Sequence, residues 1–116
     1  MDNSQRTLAI ADVDAALAAD PDHPEAIRLK ARVLGDAGKF REAVAMIERG
    51  LTLAPDDPST LRTGIWIFSA QGEFERAIAL CDTFLVVSTH EKDLAAVGDQ
   101  RTKYYERLQQ EVPAKR

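Results

Sequence analysis

The chain has one cysteine, Cys81, among 116 residues. A lone thiol excludes an internal disulfide and a cysteine-rich metal site, and it leaves the compartment open between cytoplasm and periplasm. No stretch approaches the roughly 20 consecutive apolar residues of a membrane span, so no membrane role is expected. The opening Met1-Asp2-Asn3-Ser4-Gln5-Arg6 lacks a cationic segment leading into an apolar core, the pattern of a signal peptide. Positive charge is not in excess: the net charge is −4, whereas a general nucleic-acid surface needs a surplus of Lys and Arg to neutralise phosphates. Nucleic acid is therefore not an expected partner. There is no glycine-rich phosphate loop, no paired-carboxylate site and no triad arrangement, so neither catalytic residues nor a cofactor are expected, and the chain reads as no enzyme. His23 and His90 fall in separate turns, where helix-start polar residues are the simpler reading than metal ligands. The acidic pairs Asp20/Asp22 and Asp56/Asp57 lack the spacing of a calcium loop.

What the chain does have is a copy of itself. Gly38-Lys39-Phe40-Arg41-Glu42-Ala43-Val44 returns as Gly72-Glu73-Phe74-Glu75-Arg76-Ala77-Ile78, a step of 34 residues at Gly38/Gly72, Phe40/Phe74 and Ala43/Ala77 alike. A fixed step of that length marks a helical repeat, in which each helix pair buries its apolar face only by stacking on a neighbour.

Apolar spacing predicts about six helices. The first runs from about Ser4 to Ala19, with Leu8, Val13 and Leu17 on one stripe, and ends at Asp20-Pro21-Asp22-His23-Pro24, where neither proline can continue it. Pro24 opens the second, striped by Ile27, Ala31 and Leu34. After the Gly35–Gly38 turn, the third carries Phe40, Ala43, Val44, Ile47 and Leu51 to Pro55. Asp57 is a suitable N-cap and Pro58 a suitable first residue for the fourth, which carries Leu61, Ile65 and Phe68. Phe74, Ala77, Ile78, Cys81 and Leu85 mark the fifth. Ser88 with Glu91 predicts a capping box for the sixth, striped by Leu94, Val97, Tyr104 and Leu108 to about Glu111, with Tyr104 inward and Tyr105 outward. Cys81 falls on the buried stripe and reads as core rather than nucleophile.

These residues resemble the tetratricopeptide repeat, whose 34-residue pattern is W-x2-L-G-x2-Y, A-x3-F and P. Residues 24–57 answer as one full repeat with Ile27-x2-Lys30-Ala31-x2-Leu34, Ala43-x3-Ile47 and Pro55. Residues 58–90 answer as a second with Leu61-x2-Gly64-Ile65-x2-Phe68 and Ala77-x3-Cys81, without the closing proline. Residues 1–23 match the back half of a repeat through Ala9-x3-Val13 and Pro21, and residues 91–116 a front half that serves as a cap. Lys30 and Ile65 depart from the pattern. The resemblance implies one all-α domain, a right-handed superhelical stack of antiparallel helix pairs. The phase leaves the first helix without one partner, which predicts a longer parent protein, a homodimer through that helix, or a rearrangement.

For function the resemblance implies a scaffold that holds a peptide or helix of a partner protein in a groove lined by the front helices. Carried over by phase, the groove positions include Arg28, Arg32, Arg62, Trp66, Lys92 and Lys103, together with Glu25, Ser59, Ala95 and Asp99. Helical spacing separately puts Arg28 with Arg32, and Arg62 with Trp66, four apart on one face. Arg and Trp are common energetic anchors, so an acidic or C-terminal segment is the expected partner. The competing arrangement is that these arginines pair with Glu25 or Asp36 and Trp66 packs within the array. One branch of the family clamps a C-terminal carboxylate with Lys and Asn. At the matching positions Arg28, Arg32, Thr63, Lys92 and Ala96, only the charge of Arg28 and Lys92 is kept. The alternatives to a scaffold are a self-association module and a regulatory appendage of a larger protein.

Overall fold

Prolines and glycines decide where the chain breaks. The computed structural model describes residues 12–114, as helices α1 (12–19), α2 (Pro24–Asp36), α3 (Phe40–Leu53), α4 (Pro58–Ala70), α5 (Phe74–Val87) and α6 (Glu91–Ala114), with no strand among the described residues. The early part of the expected first helix, and with it the homodimer contact proposed for that helix, lies largely outside the described residues.

The helix ends repeat as faithfully as the sequence does. In α2 the imidazole Nδ1 of His23 accepts from the Ala26 N–H at 3.2 Å; in α4 a carboxylate oxygen of Asp57 accepts from the Thr60 N–H at 3.0 Å and from the Thr60 hydroxyl at 2.7 Å. Each cap is followed by a proline at the first helical position, where its missing N–H has no bond to lose. At the other ends Gly38 and Gly72 take φ of 78° and 75°, a left-handed conformation costly for a side-chain-bearing residue. That geometry lets the Lys39 N–H reach the Leu34 carbonyl and the Glu73 N–H reach the Phe68 carbonyl, satisfying groups the helix leaves open.

Two expectations at the sixth helix need correction. Ser88 does not form the capping box: it terminates α5 in an extended conformation, and its hydroxyl accepts from the His90 N–H at 3.4 Å, so α6 begins only at Glu91. The helix also passes the expected stop at Glu111 and runs through Pro113 to Ala114. A proline in the last turn of a helix costs few internal bonds.

Successive helices pack side by side, α2 on α3, α3 on α4, α4 on α5 and α5 on α6, while the front helices α2 and α4 also touch. One core cluster joins Ala31 and Leu34 of α2 to Ala43 and Ile47 of α3, Ile67 and Phe68 of α4 and Ala77 of α5. The second joins Leu61 and Ile65 of α4 to Cys81 and Phe84 of α5 and Val97 of α6. The second helix pair, α4 and α5, is thus shared between the two clusters and ties its neighbours together, as in a stack. The pattern's small residue is displaced by one position: Ile65 is core, and the close approach falls at Gly64, where a Cβ would stand 2.7 Å from Leu80. The radius of gyration, 15.2 Å, exceeds the roughly 13 Å of a compact domain of similar length, and the extents are 48 × 32 × 28 Å. An extended array fits these dimensions better than a closed bundle.

Ion pairs lace the outer surface: Lys30 to Asp14, Arg49 to Asp22, Arg76 to Glu48 and Arg101 to Asp82. Each joins different elements, and as exposed pairs each contributes at most about 1 kcal/mol.

Candidate functional site

Helices α2 and α4 place their second and third turns toward a common hollow of about 400 Å³. Arg28 and Arg32 enter it from α2; Ser59, Arg62, Thr63, Ile65, Trp66 and Ser69 from α4; Gln100 and Tyr104 from α6. Four of the six residues selected from the sequence, Arg28, Arg32, Arg62 and Trp66, therefore line one cavity. Lys103 lines an adjoining hollow with Trp66. Lys92 is exposed in the first turn of α6 and borders neither.

The cations in the hollow are only partly matched by carboxylates. Neither Glu25 nor Asp36 pairs with the arginines, and no ion pair among the described residues involves Arg28 or Arg32. Arg62 has one carboxylate partner, Asp93 of α6, at 3.3 Å. The motif phase pointed to Lys92 at this place, and the next residue along is the one that pairs. Three hydroxyl residues, Ser59, Thr63 and Ser69, line the hollow with the cations. The Thr63 hydroxyl donates to the Ser59 carbonyl at 3.0 Å and that of Ser69 to the Trp66 carbonyl at 3.0 Å.

Trp66 is both packed and presented. Its six-membered ring lies so close to Gly35 of α2 that a Cβ there would stand 2.7 and 2.8 Å from the ring edge. On the same side Phe40 meets it at a centroid distance of 6.3 Å, tilted by 59°. The residue nevertheless keeps 38% of its surface exposed, facing the two hollows that it divides. The two readings of this tryptophan, array packing and groove surface, describe different sides of one ring.

The second hollow, about 560 Å³, lies beyond Trp66. It is bordered by Ser69 and Ala70 of α4, Phe74 at the start of α5, and Lys103, Tyr104, Glu106, Arg107 and Gln110 of α6. Tyr104 stacks on Phe74 at 5.6 Å and 26°, and the Arg107 guanidinium stands 5.6 Å from the same ring. Tyr104 is half-buried while Tyr105 is 42% exposed, the inward and outward pair expected. Sequence reasoning missed Ser69, Ala70, Gln100, Tyr104 and Arg107 as lining residues. The signal was there: Ser69 and Ala70 lie three and four positions after Trp66, and Gln100, Lys103, Tyr104 and Arg107 share one helical face.

Cys81 stands apart from this surface. It is fully buried between α4, α5 and α6, and burial, with the Asp82 carboxylate adding to it, pushes its thiol up to about 11. A thiol held protonated in a core is a packing residue, not a nucleophile. No group of three or more potential metal ligands gathers among the described residues, and no helix among them is long and apolar enough to cross a membrane.

Stacked helix pairs with repeated caps and a recessed face between their front helices define the class: an α-helical repeat scaffold. The chain belongs to the tetratricopeptide repeat family, whose profile matches residues 1–63, more than half of the 116. The match ends inside α4, yet the glycine turn and the core positions recur through α5. A comparison with curated proteins finds no match. The family serves protein–protein interaction in general and is typically a non-enzymatic scaffold.

Proposed function

We propose that the recessed face formed by α2, α4 and α6 holds an acidic segment of a partner protein, and that the chain acts by binding alone. The observation that supports this is the convergence of Arg28, Arg32, Arg62 and Trp66 on one hollow in which two of the three arginines lack an ion-pair partner among the described residues. Arginine forks bind carboxylates through paired N–H donors, and a tryptophan already seated against its own scaffold loses little freedom when a ligand covers its other side. Stacked helices hold these groups in register, so the incoming segment bears most of the ordering cost.

The test is titration of a capped hexapeptide of alternating Asp and Gly, labelled with fluorescein, against the wild-type protein and an Arg28→Gln/Arg32→Gln variant. Saturable binding that weakens at least tenfold in the variant, and falls with added salt, supports the reading. Equal affinity for both proteins would mean that the arginines are solvated surface and the groove lies elsewhere.

A further inference from the structure

α6 outruns its counterparts, and the excess builds a second subsite. α2 and α4 each have 13 residues, whereas α6 has 24. The surplus of 11 residues makes α6 longer than α4 by about 16–17 Å at 1.5 Å per residue. It roofs the α4–α5 turn: Tyr104 stacks on Phe74, and Lys103, Glu106 and Gln110 wall a hollow floored by Ala70 and the Phe74 ring. A helix that stopped where α4 stops would leave that turn open and the hollow would not exist. The two hollows share Trp66, Ser69 and Tyr104, so they form one continuous trough with unlike ends. One end is cationic; the other is bordered by Trp66, Ala70 and Phe74, with Lys103, Glu106 and Arg107 along α6.

We propose that the segment this trough takes is bipartite, with carboxylates for Arg28, Arg32 and Arg62 and, a fixed distance along, one bulky apolar side chain that lodges between Trp66, Ala70 and Phe74 beneath the α6 overhang. The proposal rests on the groove reading above and narrows it to a class of partner: an extended acidic peptide with an aromatic or large aliphatic anchor. The spacing follows from α4, which lines both ends. Arg62 and Ala70 are eight positions apart, about 12 Å along the helix. An extended chain advances about 3.3 Å per residue, so the anchor stands three or four residues from the acidic group. Purely acidic segments fill only half of the trough, and purely apolar ones leave Arg28 and Arg32 without partners among the described residues.

Three capped, fluorescein-labelled peptides test this by anisotropy. The first carries two aspartates and, after a gap of three serines, a phenylalanine; the second has the same residues in reverse order; the third has alanine in place of phenylalanine. Emission of Trp66, the one tryptophan of the chain, reports occupancy at the junction. The better of the two phenylalanine peptides is expected to bind about tenfold tighter than the alanine peptide. Ala70→Gln, an exposed and helix-compatible change, is expected to abolish that difference while leaving the alanine peptide unaffected. Arg28→Gln/Arg32→Gln is expected to weaken all three. If phenylalanine adds no affinity, or Ala70→Gln leaves its advantage intact, the bipartite proposal is overturned while an acidic groove stands. If no peptide binds the wild-type protein, the groove reading fails and takes this one with it.

Discussion

Gly35→Ala is the sharpest single probe of the recessed face, because one methyl group tests where Trp66 lies. A Cβ at position 35 would stand 2.7 Å from Cζ3 and 2.8 Å from Cη2 of that ring. Ordinary contact begins near 3.4 Å, so the ring edge must retreat by about 0.7 Å or more. Two effects then compete. Alanine in a helix is more favourable than glycine by about 0.5–1 kcal/mol. Crowding a packed aromatic costs about 1–3 kcal/mol. The ring is 38% exposed and has room to swing outward, which places the steric cost at the low end of that range. A net loss of at most about 0.5 kcal/mol is expected, a fall in Tm of no more than about 2–4 °C. The larger effect is local: Trp66 leaves its seat on α2, its emission shifts to the red, and acrylamide quenches it more readily. Unchanged emission and quenching, whatever the stability, would show that Trp66 does not rest on Gly35, and the platform argument would fall with it.

Gly98 is the opposite case, a helical glycine whose added Cβ meets nothing within 4 Å. Gly98→Ala should therefore stabilise by about 0.5–1 kcal/mol in chemical denaturation, and a loss would reveal a contact across α6. Asp57→Ala removes the acceptor for two bonds from Thr60 and should cost about 1–2 kcal/mol, with Asp57→Asn recovering most of it. Cys81 titrates in the unfolded chain near 9 and in the fold near 11. The folded state keeps the proton longer, so the contribution is whole below pH 9 and is lost as pH rises toward 11. Between pH 7.5 and 10 the wild type should lose about 1 kcal/mol more than Cys81→Ala, and parallel pH profiles for the two proteins would refute the buried thiol.

How far the letters alone carry depends on what sets each feature. Helix boundaries at Pro24, Pro58, Gly38 and Gly72 are dictated by covalent geometry within a few residues, so they were legible. So was the inward face, because Ile27, Ala31, Ala43, Ile47, Phe68 and Ala77 repeat at a period that a helix converts directly into position. Ser88 was misread because the letter does not show which helix holds its backbone: its N–H donates to the Phe84 carbonyl and ends α5, and its hydroxyl accepts from His90 instead of capping α6. The gathering of Arg28, Arg32, Arg62 and Trp66 followed from phase. Which of those charges is neutralised did not, since the Arg62–Asp93 pair depends on how far α6 leans toward α4, a quantity no single repeat encodes.

The features that make this array particular are found where the repetition fails. In the two full pairs a glycine turn brings a phenylalanine, Phe40 or Phe74, to the start of the back helix, and in both cases an aromatic from the following front helix meets it: Trp66 in the first, Tyr104 in the second. The two aromatics do not occupy the same phase. Trp66 sits mid-helix on a glycine notch, whereas Tyr104 lies on the extension of α6, where a strict copy would already have turned. With Asp99 in place of an aromatic at the phase of Trp66, a front helix only as long as α4 would leave Phe74 without such a cover. Extending α6 covers that ring, and the cover stands off from Ala70 far enough to leave a hollow between them. The same extra turns that cover Phe74 also border the apolar hollow, so packing at that ring and the binding proposed there should respond together to changes in the second half of α6.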